Sequence, residues 1–295
     1  MSTVALVAAP SRYRRHRHSL KDGPWGRIVI TLSKTTTTLV ALSLAACSTR
    51  TLQLPEAEGT LALTETVRVY SEVRQRCADV NGWTAEMTIA GAIDGRHVRA
   101  RLLAAFSPPI VRLESFTRSG NPSFVVLSNS SRTLVRVAGS QALQAADQHD
   151  VMQALIGVPM AADFFGRTLA ACEFPTGSRA MRMIGSEWAR FPLAGGSVYV
   201  HRANAAETWR MVTILNPGET LHWNWRIDYH DVSDGFPLRS HLITSDGRVD
   251  LQFRLAHVDT MFVHASDDAR FKVDMPSNTQ PLQPKQLRQA IYGKN

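Results

Sequence analysis

The sequence predicts an α+β fold built on one strongly curved antiparallel sheet of about 11–13 strands, with helices that cover its inner face. From Trp83 onward, apolar and polar residues alternate over many short runs, as in strands with one buried and one solvated face. Two short helical patterns interrupt these runs in the middle of the chain, and a longer one precedes them. A sheet with this many strands must curl or close.

The longer helix is predicted over Thr60 to Cys77, where Leu63, Val67 and Tyr70 recur at steps of three and four residues. Asn81-Gly82 ends it. The two short helices are predicted over 147–156 and 162–171, on either side of a Gly-Val-Pro sequence.

The alternating runs predict the strands. A turn is predicted at Ile93-Asp94-Gly95-Arg96, because Asp-Gly favours a tight hairpin. The clearest runs are 83–89, 98–106, 110–116, 123–128, 133–138, 221–229 and 249–255.

The beginning of the chain has the layout of an export signal. A basic stretch is followed by the apolar run Leu39 to Ala46, and Leu44-Ala45-Ala46-Cys47 closes it. This ending resembles the lipobox of bacterial lipoproteins, which implies that residues 1–46 are a signal peptide and that Cys47 carries the lipid. The alternative is a cysteine that happens to end an ordinary signal peptide. Residues 47–59 are predicted to be a tether between the lipid and the fold.

The lipobox also bears on the membrane. No apolar stretch approaches the roughly 18 residues that span a bilayer, so we expect a protein that is anchored by lipid and does not span the membrane. The residue after Cys47 is Ser48 rather than aspartate, which by the sorting rule of enteric bacteria points to the outer membrane.

The formal net charge of +8 arises mostly in the leader, which carries seven basic residues and one acidic residue. Without residues 1–46 the chain has 26 basic and 24 acidic residues, and none of the basic ones form a block. Nucleic-acid binding needs clustered positive charge. The sequence therefore predicts no nucleic-acid partner.

Two cysteines follow Cys47 in the sequence, Cys77 and Cys172. Exported proteins fold in an oxidising compartment, so an even pair favours a disulfide. The alternative is two buried free thiols.

Enzyme motifs are missing from the sequence, which has no Gly-x-Ser-x-Gly, no phosphate-binding glycine loop and no His-Glu-x-x-His. The ten histidines are scattered and have no metal-ligand spacing. We therefore expect a non-enzymatic protein with no metal and no cofactor.

Alternation places a set of large apolar residues on the inner face of the sheet. They are expected to line a cavity for an apolar ligand, or else to pack as the solid core of an envelope scaffold. The set is Trp83, Met87, Ile89, Leu102, Phe106, Leu113, Trp223, Trp225, Leu251 and Phe253.

Several ordered motifs between Thr60 and Pro276 resemble the LolA/LolB-like family of lipoprotein-sorting carriers and outer-membrane lipoproteins. They are Asn81-Gly82-Trp83 after the helix, Pro109-Ile110-Val111-Arg112-Leu113-Glu114, Leu155-Ile156-Gly157-Val158-Pro159-Met160, and Phe271-Lys272-Val273-Asp274-Met275-Pro276. The resemblance implies an incomplete β-barrel with a helical lid, which forms one half-barrel domain over 60–276 and is followed by a C-terminal tail over 277–295.

For function, the resemblance implies a lipid-binding protein on the periplasmic face of the outer membrane. The cavity would receive acyl chains of lipids or lipoproteins, and a periplasmic carrier protein would be a partner. The lipid-anchored member of the family has an exposed leucine in a loop that places lipoproteins into the membrane. Ser119 occupies the matching position here, so the resemblance carries over the apolar cavity and leaves open whether this protein performs the insertion step.

Overall fold

The computed structural model describes residues 51–56, 59–61, 63–78, 80, 82–116, 122–129, 133–137, 141–174, 181–193, 196–217, 223–233, 235–260, 271, 280–282 and 284–292. Thr51–Asn295 forms one compact unit by itself. The predicted signal peptide 1–46, the lipidation site Cys47 and the loop residue Ser119 lie outside the described residues.

The described residues form one open, curved sheet of 14 strands, of which β7 has three residues and β14 has two. The strands are β1 Trp83–Ile93, β2 Arg96–Ser107, β3 Ile110–Phe116, β4 Pro122–Ser128, β5 Thr133–Val137, β6 Gln141–Ala146, β7 Arg182–Ile184, β8 Trp188–Leu193, β9 Gly196–His201, β10 Arg210–Pro217, β11 Trp223–Ser233, β12 Phe236–Thr244, β13 Val249–Thr260 and β14 Gln280–Pro281. The predicted curved antiparallel sheet is confirmed.

The strand order is β14-β6-β5-β4-β3-β2-β1-β13-β12-β11-β10-β9-β8-β7. Neighbouring strands are antiparallel, except that β14 pairs parallel with β6. The first strand of the chain therefore lies beside β13 in the middle of the sheet. The sheet does not close, since β14 and β7 are its two edges.

Strand register separates a concave face from a convex face. Ile89 lies opposite Ala100 on β2 and Phe253 on β13, and Ile89 and Phe253 are buried on the concave side. The next residue back, Thr88, lies opposite Arg101 and Arg254 on the convex side. Because side chains alternate with a period of two, this single register places every predicted apolar row on the same face.

The hairpin between β1 and β2 turns at the predicted Asp-Gly pair. Asp94 has φ 51° and Gly95 has φ 73°. A two-residue hairpin turn of this kind needs positive φ at both positions, which aspartate tolerates and glycine adopts freely.

In the described part of the chain, four helices accompany the sheet: α1 Leu63–Ala78, α2 Gln148–Ile156, α3 Ala162–Leu169 and α4 Pro284–Tyr292. The side chain of Asp147 accepts a hydrogen bond from the backbone N–H of His149 (2.7 Å) and caps the start of α2. Gly157, with φ 79°, ends that helix in the left-handed conformation.

Helix α3 packs directly on the centre of the concave face. The ring of Phe165 meets that of Phe253 edge to face, with centroids 5.6 Å apart. A Cβ atom on Gly166 would lie 2.4 Å from Cδ2 of Phe106, so only glycine allows so close an approach. The middle of the half-barrel is therefore filled by protein side chains.

Two polar side chains of the sheet also hold α3 in place. Trp83 Nε1 donates to the carbonyl of Gly166 (3.3 Å), and Tyr229 Oη donates to the carbonyl of Thr168 (2.6 Å). The same two carbonyls also accept the backbone N–H groups of Ala170 and Ala171 at the helix end, so the side chains of the sheet supply a second hydrogen bond to each. Complete burial also raises the pKa of Tyr229 well above its ordinary value, and the phenol stays a donor.

The fold begins earlier than the predicted domain boundary. Residues 51–56, expected to be a tether, lie on the convex face, where Leu52 and Leu54 pack with Tyr199 and Val212. Thr60 then forms an antiparallel bridge with Met183 at β7. We call residues 51–60, in their described part, the N-terminal strap.

The fold also extends beyond Pro276 into the predicted tail. Leu287 of α4 is fully buried, and Tyr292 Oη donates to the carbonyl of Leu155 at the end of α2. Arg288 donates to the carbonyls of Gln153 (2.9 Å) and Ala154 (3.2 Å). The C-terminal helix thus caps α2 and belongs to the domain.

Candidate functional site

A cavity of about 750 Å³ opens at one end of the concave face. It lies between the α2–α3 pair and strands β8, β10, β11 and β12, beside the part of the sheet that α3 fills. The connection between the two helices, 157–161, forms one wall. This connection contains the Gly157-Val158-Pro159-Met160 sequence on which part of the family resemblance rests.

The depth of the cavity is apolar. Val158, Met160, Ile214 and Trp225 line it and are between 0% and 7% exposed. Phe164 meets Trp225 edge to face, with ring centroids 5.9 Å apart. These side chains offer a ligand contact with carbon atoms and few hydrogen-bonding groups.

A second aromatic wall lies towards β8. Phe174 lines the cavity and meets Phe191 nearly perpendicularly, with centroids 5.6 Å apart. Leu193 lies at the end of β8, half-buried, and completes this side. Edge-to-face pairs of this kind fix the position of the rings and so fix the shape of the cavity.

The rim carries mostly neutral polar groups. Gln153 Nε2 donates to the carbonyl of Gly157 (2.9 Å), and Asn224 Nδ2 reaches Asn216 Oδ1 at 3.5 Å. His149 and Thr244 also lie at the cavity. The cavity therefore has an apolar interior and a polar opening.

One ion-pair cluster borders the cavity. Arg167 Nε donates to Glu173 Oε2 (2.5 Å), and Arg167 Nη1 donates to Asp163 Oδ2 (2.8 Å). Burial raises the pKa of Glu173, and the hydrogen bond from Arg167 opposes that rise. Because the guanidinium already bridges both carboxylates, it offers a ligand little free positive charge.

The structure places the predicted cavity residues differently from the expectation. Of the ten, Trp225 lines the cavity, and the backbone of Trp223 begins β11 while its side chain is outside the described residues. The others lie in the packed core, at most 2% exposed: Trp83, Met87, Ile89, Leu102, Phe106, Leu113, Leu251 and Phe253. Alternation identified the buried face, but the helices cover its centre.

The predicted disulfide is present in the structure. Cys77 at the end of α1 is bonded to Cys172 just after α3, with their Cα atoms 5.4 Å apart. The bond joins the two helices that cover the concave face, near the Phe174 wall of the cavity.

Several lining residues were not singled out from the sequence. They lie on the helix connection and at the ends of β8 and β10, where strand alternation stops being informative. The Gly-Val-Pro sequence between two short helices was the available signal, because it forces a bend that keeps the helices apart.

Among the described residues, no three His, Cys, Asp or Glu side chains converge into a metal site. Within the same part of the chain, no helix is both long and apolar enough to cross a membrane.

The sequence matches no protein-family model and no curated protein. Solved structures similar to this chain include a LolA-superfamily protein of Nitrosomonas europaea (9% identity, TM-score 0.46, covering 66% of this chain and 95% of that one). A putative outer membrane lipoprotein-sorting protein domain of Vibrio parahaemolyticus is 7% identical, with a TM-score of 0.39 over 78% of this chain and 100% of that one. The Mycobacterium tuberculosis lipoprotein LppX is 7% identical, with a TM-score of 0.28 over 68% and 99%.

Proposed function

We propose that this protein is a non-enzymatic, lipid-anchored protein of the outer membrane that faces the periplasm and binds acyl chains of lipids or lipoproteins. The observation that carries the proposal is the cavity between the α2–α3 pair and β10–β12. Its volume of about 750 Å³ lies within the range of small-molecule sites, roughly 300–1,000 Å³. Acyl chains gain about 25 cal/mol for each Å² removed from water, and the walls formed by Met160, Ile214 and Trp225 supply such contacts.

The distribution of polar groups supports an amphiphilic ligand. The acyl chain would lie between Trp225 and the helix connection, and the head group would stay near Asn216 and Asn224 at the open side. A ligand of this kind needs no catalytic group and few polar anchors.

The lipobox supports the anchor part of the proposal. Cys47 would carry the lipid, and a periplasmic carrier protein would deliver the bound lipoprotein. Because Ser119 replaces the family's exposed leucine, we propose binding without the insertion step. A Cys47→Ser variant should lose its acyl label and leave the membrane fraction; continued membrane attachment would locate the anchor elsewhere.

Ligand binding is tested with the chain from Ser48 onward and a fluorescent fatty acid. Leu193→Glu places a carboxylate in the half-buried wall of the cavity, and burying that charge beside an acyl chain is unfavourable. We expect the affinity to fall about tenfold or more, the equivalent of about 1.4 kcal/mol. Val67→Glu is the matched control, because Val67 is 57% exposed on α1.

A packed envelope scaffold is the second candidate, and the filled centre of the half-barrel beneath α3 favours it. Mass spectrometry of the purified chain for co-purified lipid separates the two. A protein that carries no lipid and does not bind the probe is a scaffold. Equal loss of binding in Leu193→Glu and Val67→Glu would show that the cavity is not the binding site.

A further inference from the structure

The N-terminal strap is fixed on the convex face by a buried polar cluster. Asp228 is fully buried and accepts hydrogen bonds from Arg226 Nε and Thr213 Oγ1, both at 2.6 Å. The backbone N–H of Leu52 donates to Asp228 Oδ2 (3.4 Å), and Arg226 Nη2 donates to the carbonyl of Leu52. The strap is thus held at β11 through both the backbone N–H and the carbonyl of Leu52.

This attachment limits where a lipid on Cys47 can be. Cys47 precedes Leu52 by five residues. A fully extended chain of that length spans at most roughly 18 Å. Followed back from Thr60 to Leu52, the strap crosses the convex face from β7 to β11. The described part of the strap therefore begins on the convex side of the sheet at β11, two strands away from β13.

The same face carries a row of arginines. Arg101 and Arg254 lie on either side of Thr88 in register, and Arg239 lies directly opposite Arg254 on β12. Arg99 lies two positions before Arg101 on β2, opposite Ala90. Strands are about 4.8 Å apart, so Arg254 is about 10 Å from the strand that holds the strap and Arg99 about 19 Å.

Arg99, Arg101 and Arg254 line a groove of about 470 Å³ together with Glu86, Thr88 and His257. Glu86 pairs with Arg101, and Asp231 pairs with Arg239. Arg99 and Arg254 are exposed, and neither has an acidic partner among the described residues. Like charges directly opposite each other on neighbouring strands are destabilising, and in the Arg239–Arg254 pair Asp231 compensates Arg239 and leaves the charge of Arg254 uncompensated.

From these two observations we propose that the convex face around β2, β1, β13 and β12 lies against the bilayer, with Arg99, Arg101 and Arg254 at the phosphates of anionic phospholipids. The anchor position rests on the proposed lipidation of Cys47, whereas the arginine groove does not. Glu86, Asp231 and Asp250 on this side are paired with Arg101, Arg239 and His241, so Arg99 and Arg254 supply the charge that complements a negative membrane surface. The strap begins on the same side. The cavity faces the opposite way, away from the bilayer and open to the periplasm.

The test uses the chain from Ser48 onward, which contains the whole compact unit Thr51–Asn295 and has no lipid of its own. Its partitioning is measured by flotation with vesicles of phosphatidylglycerol and phosphatidylethanolamine in equal amounts, and with vesicles of phosphatidylcholine alone. Each basic residue near a charged bilayer contributes about 1 kcal/mol, a factor of about five. We therefore expect the Arg99→Gln/Arg254→Gln variant to bind the anionic vesicles about 30-fold more weakly than the unmodified chain.

Arg74→Gln is the matched control, because it removes an exposed arginine from α1 on the concave side. It should bind anionic vesicles like the unmodified chain, and no variant should bind phosphatidylcholine. Equal binding to both vesicle types, no binding to either, or equal loss in the control and the double variant would overturn the proposal. Binding to polyglutamate without binding to vesicles would assign the groove to an acidic protein and would also overturn it.

The fluorescent fatty acid distinguishes this proposal from the proposed function. Arg99→Gln/Arg254→Gln should bind the probe normally, because the groove and the cavity lie on opposite faces of the sheet. If the unmodified chain binds anionic vesicles and fails to bind the probe, the acyl-binding function is wrong and the membrane-facing surface stands.

Discussion

Removal of the Cys77–Cys172 disulfide should strongly lower the free energy of unfolding. The bond joins residues 95 positions apart. In the chain-entropy model, closing a loop of that length destabilises the unfolded chain by about 4.7 kcal/mol at 25 °C. The folded state should change little, because Val73 of α1 and Phe165 of α3 are fully buried against the sheet without help from the bond. We therefore expect Cys77→Ser/Cys172→Ser to lose about 4–5 kcal/mol.

Urea denaturation of the chain from Ser48 measures this loss, with tryptophan fluorescence as the signal. The unmodified chain under reducing conditions is the matched control and should unfold like the double variant, since both lack the same cross-link. A loss below about 1 kcal/mol would refute the reasoning, because it would mean that the unfolded chain is already as restricted as the bond makes it.

Two further predictions concern charged groups. Asp228→Ala leaves the Arg226 guanidinium buried without its carboxylate and should lower the free energy of unfolding by about 3–5 kcal/mol, measured by urea denaturation. The double variant Arg226→Met/Asp228→Leu should recover most of that loss. Equal losses in the two variants would show that the cost comes from packing. Hydrogen bonds from Arg288 and then Arg248 lower the pKa of Asp94, so its ionised form stabilises the fold at neutral pH and this contribution is lost as the pH falls below about 4. Melting temperatures of Asp94→Asn and the unmodified chain should differ near pH 7 and converge in acid, and a constant difference would contradict the assignment.

Strand alternation was sufficient to predict the sheet and its buried face. Ile89 and Phe253 were both placed inward from separate runs, and they lie opposite each other in register. The period of two makes this robust, because a shift of one residue would expose a whole apolar row. Asp94-Gly95 marked its hairpin for a similarly local reason: few other pairs adopt positive φ at both positions.

Alternation could not predict what covers the buried face. It assigns Phe106 to the inside, but a cavity wall and a packed core have the same pattern. The deciding residue is Gly166, 60 positions further along the chain, whose missing side chain lets α3 settle on the Phe106 ring. The cavity therefore forms beside α3, at a helix connection and at strand ends, where no periodic pattern marks the lining residues.

The chain ends were equally hard to predict. Residues 51–56 have no helical period, and the partner that fixes Leu52 is Asp228, 176 residues away. Helix α4 has only nine residues and no acidic residue in its first turn, so its sequence alone is a weak helix signal. Its stability comes from tertiary contacts, among them the Arg288 bonds to the carbonyls of α2.

Strands β10 and β11 carry both proposed functions on their two faces. Ile214 and Trp225 point inward to the cavity, while Thr213 and Asp228 point outward to the strap. A period of two makes this division unavoidable: residues that touch a ligand are the covalent neighbours of residues that hold the anchor segment. A shift of the backbone at Trp225 would therefore also move the neighbouring residues that bind Leu52. The cavity and the strap are thus held on opposite faces of the same two strands.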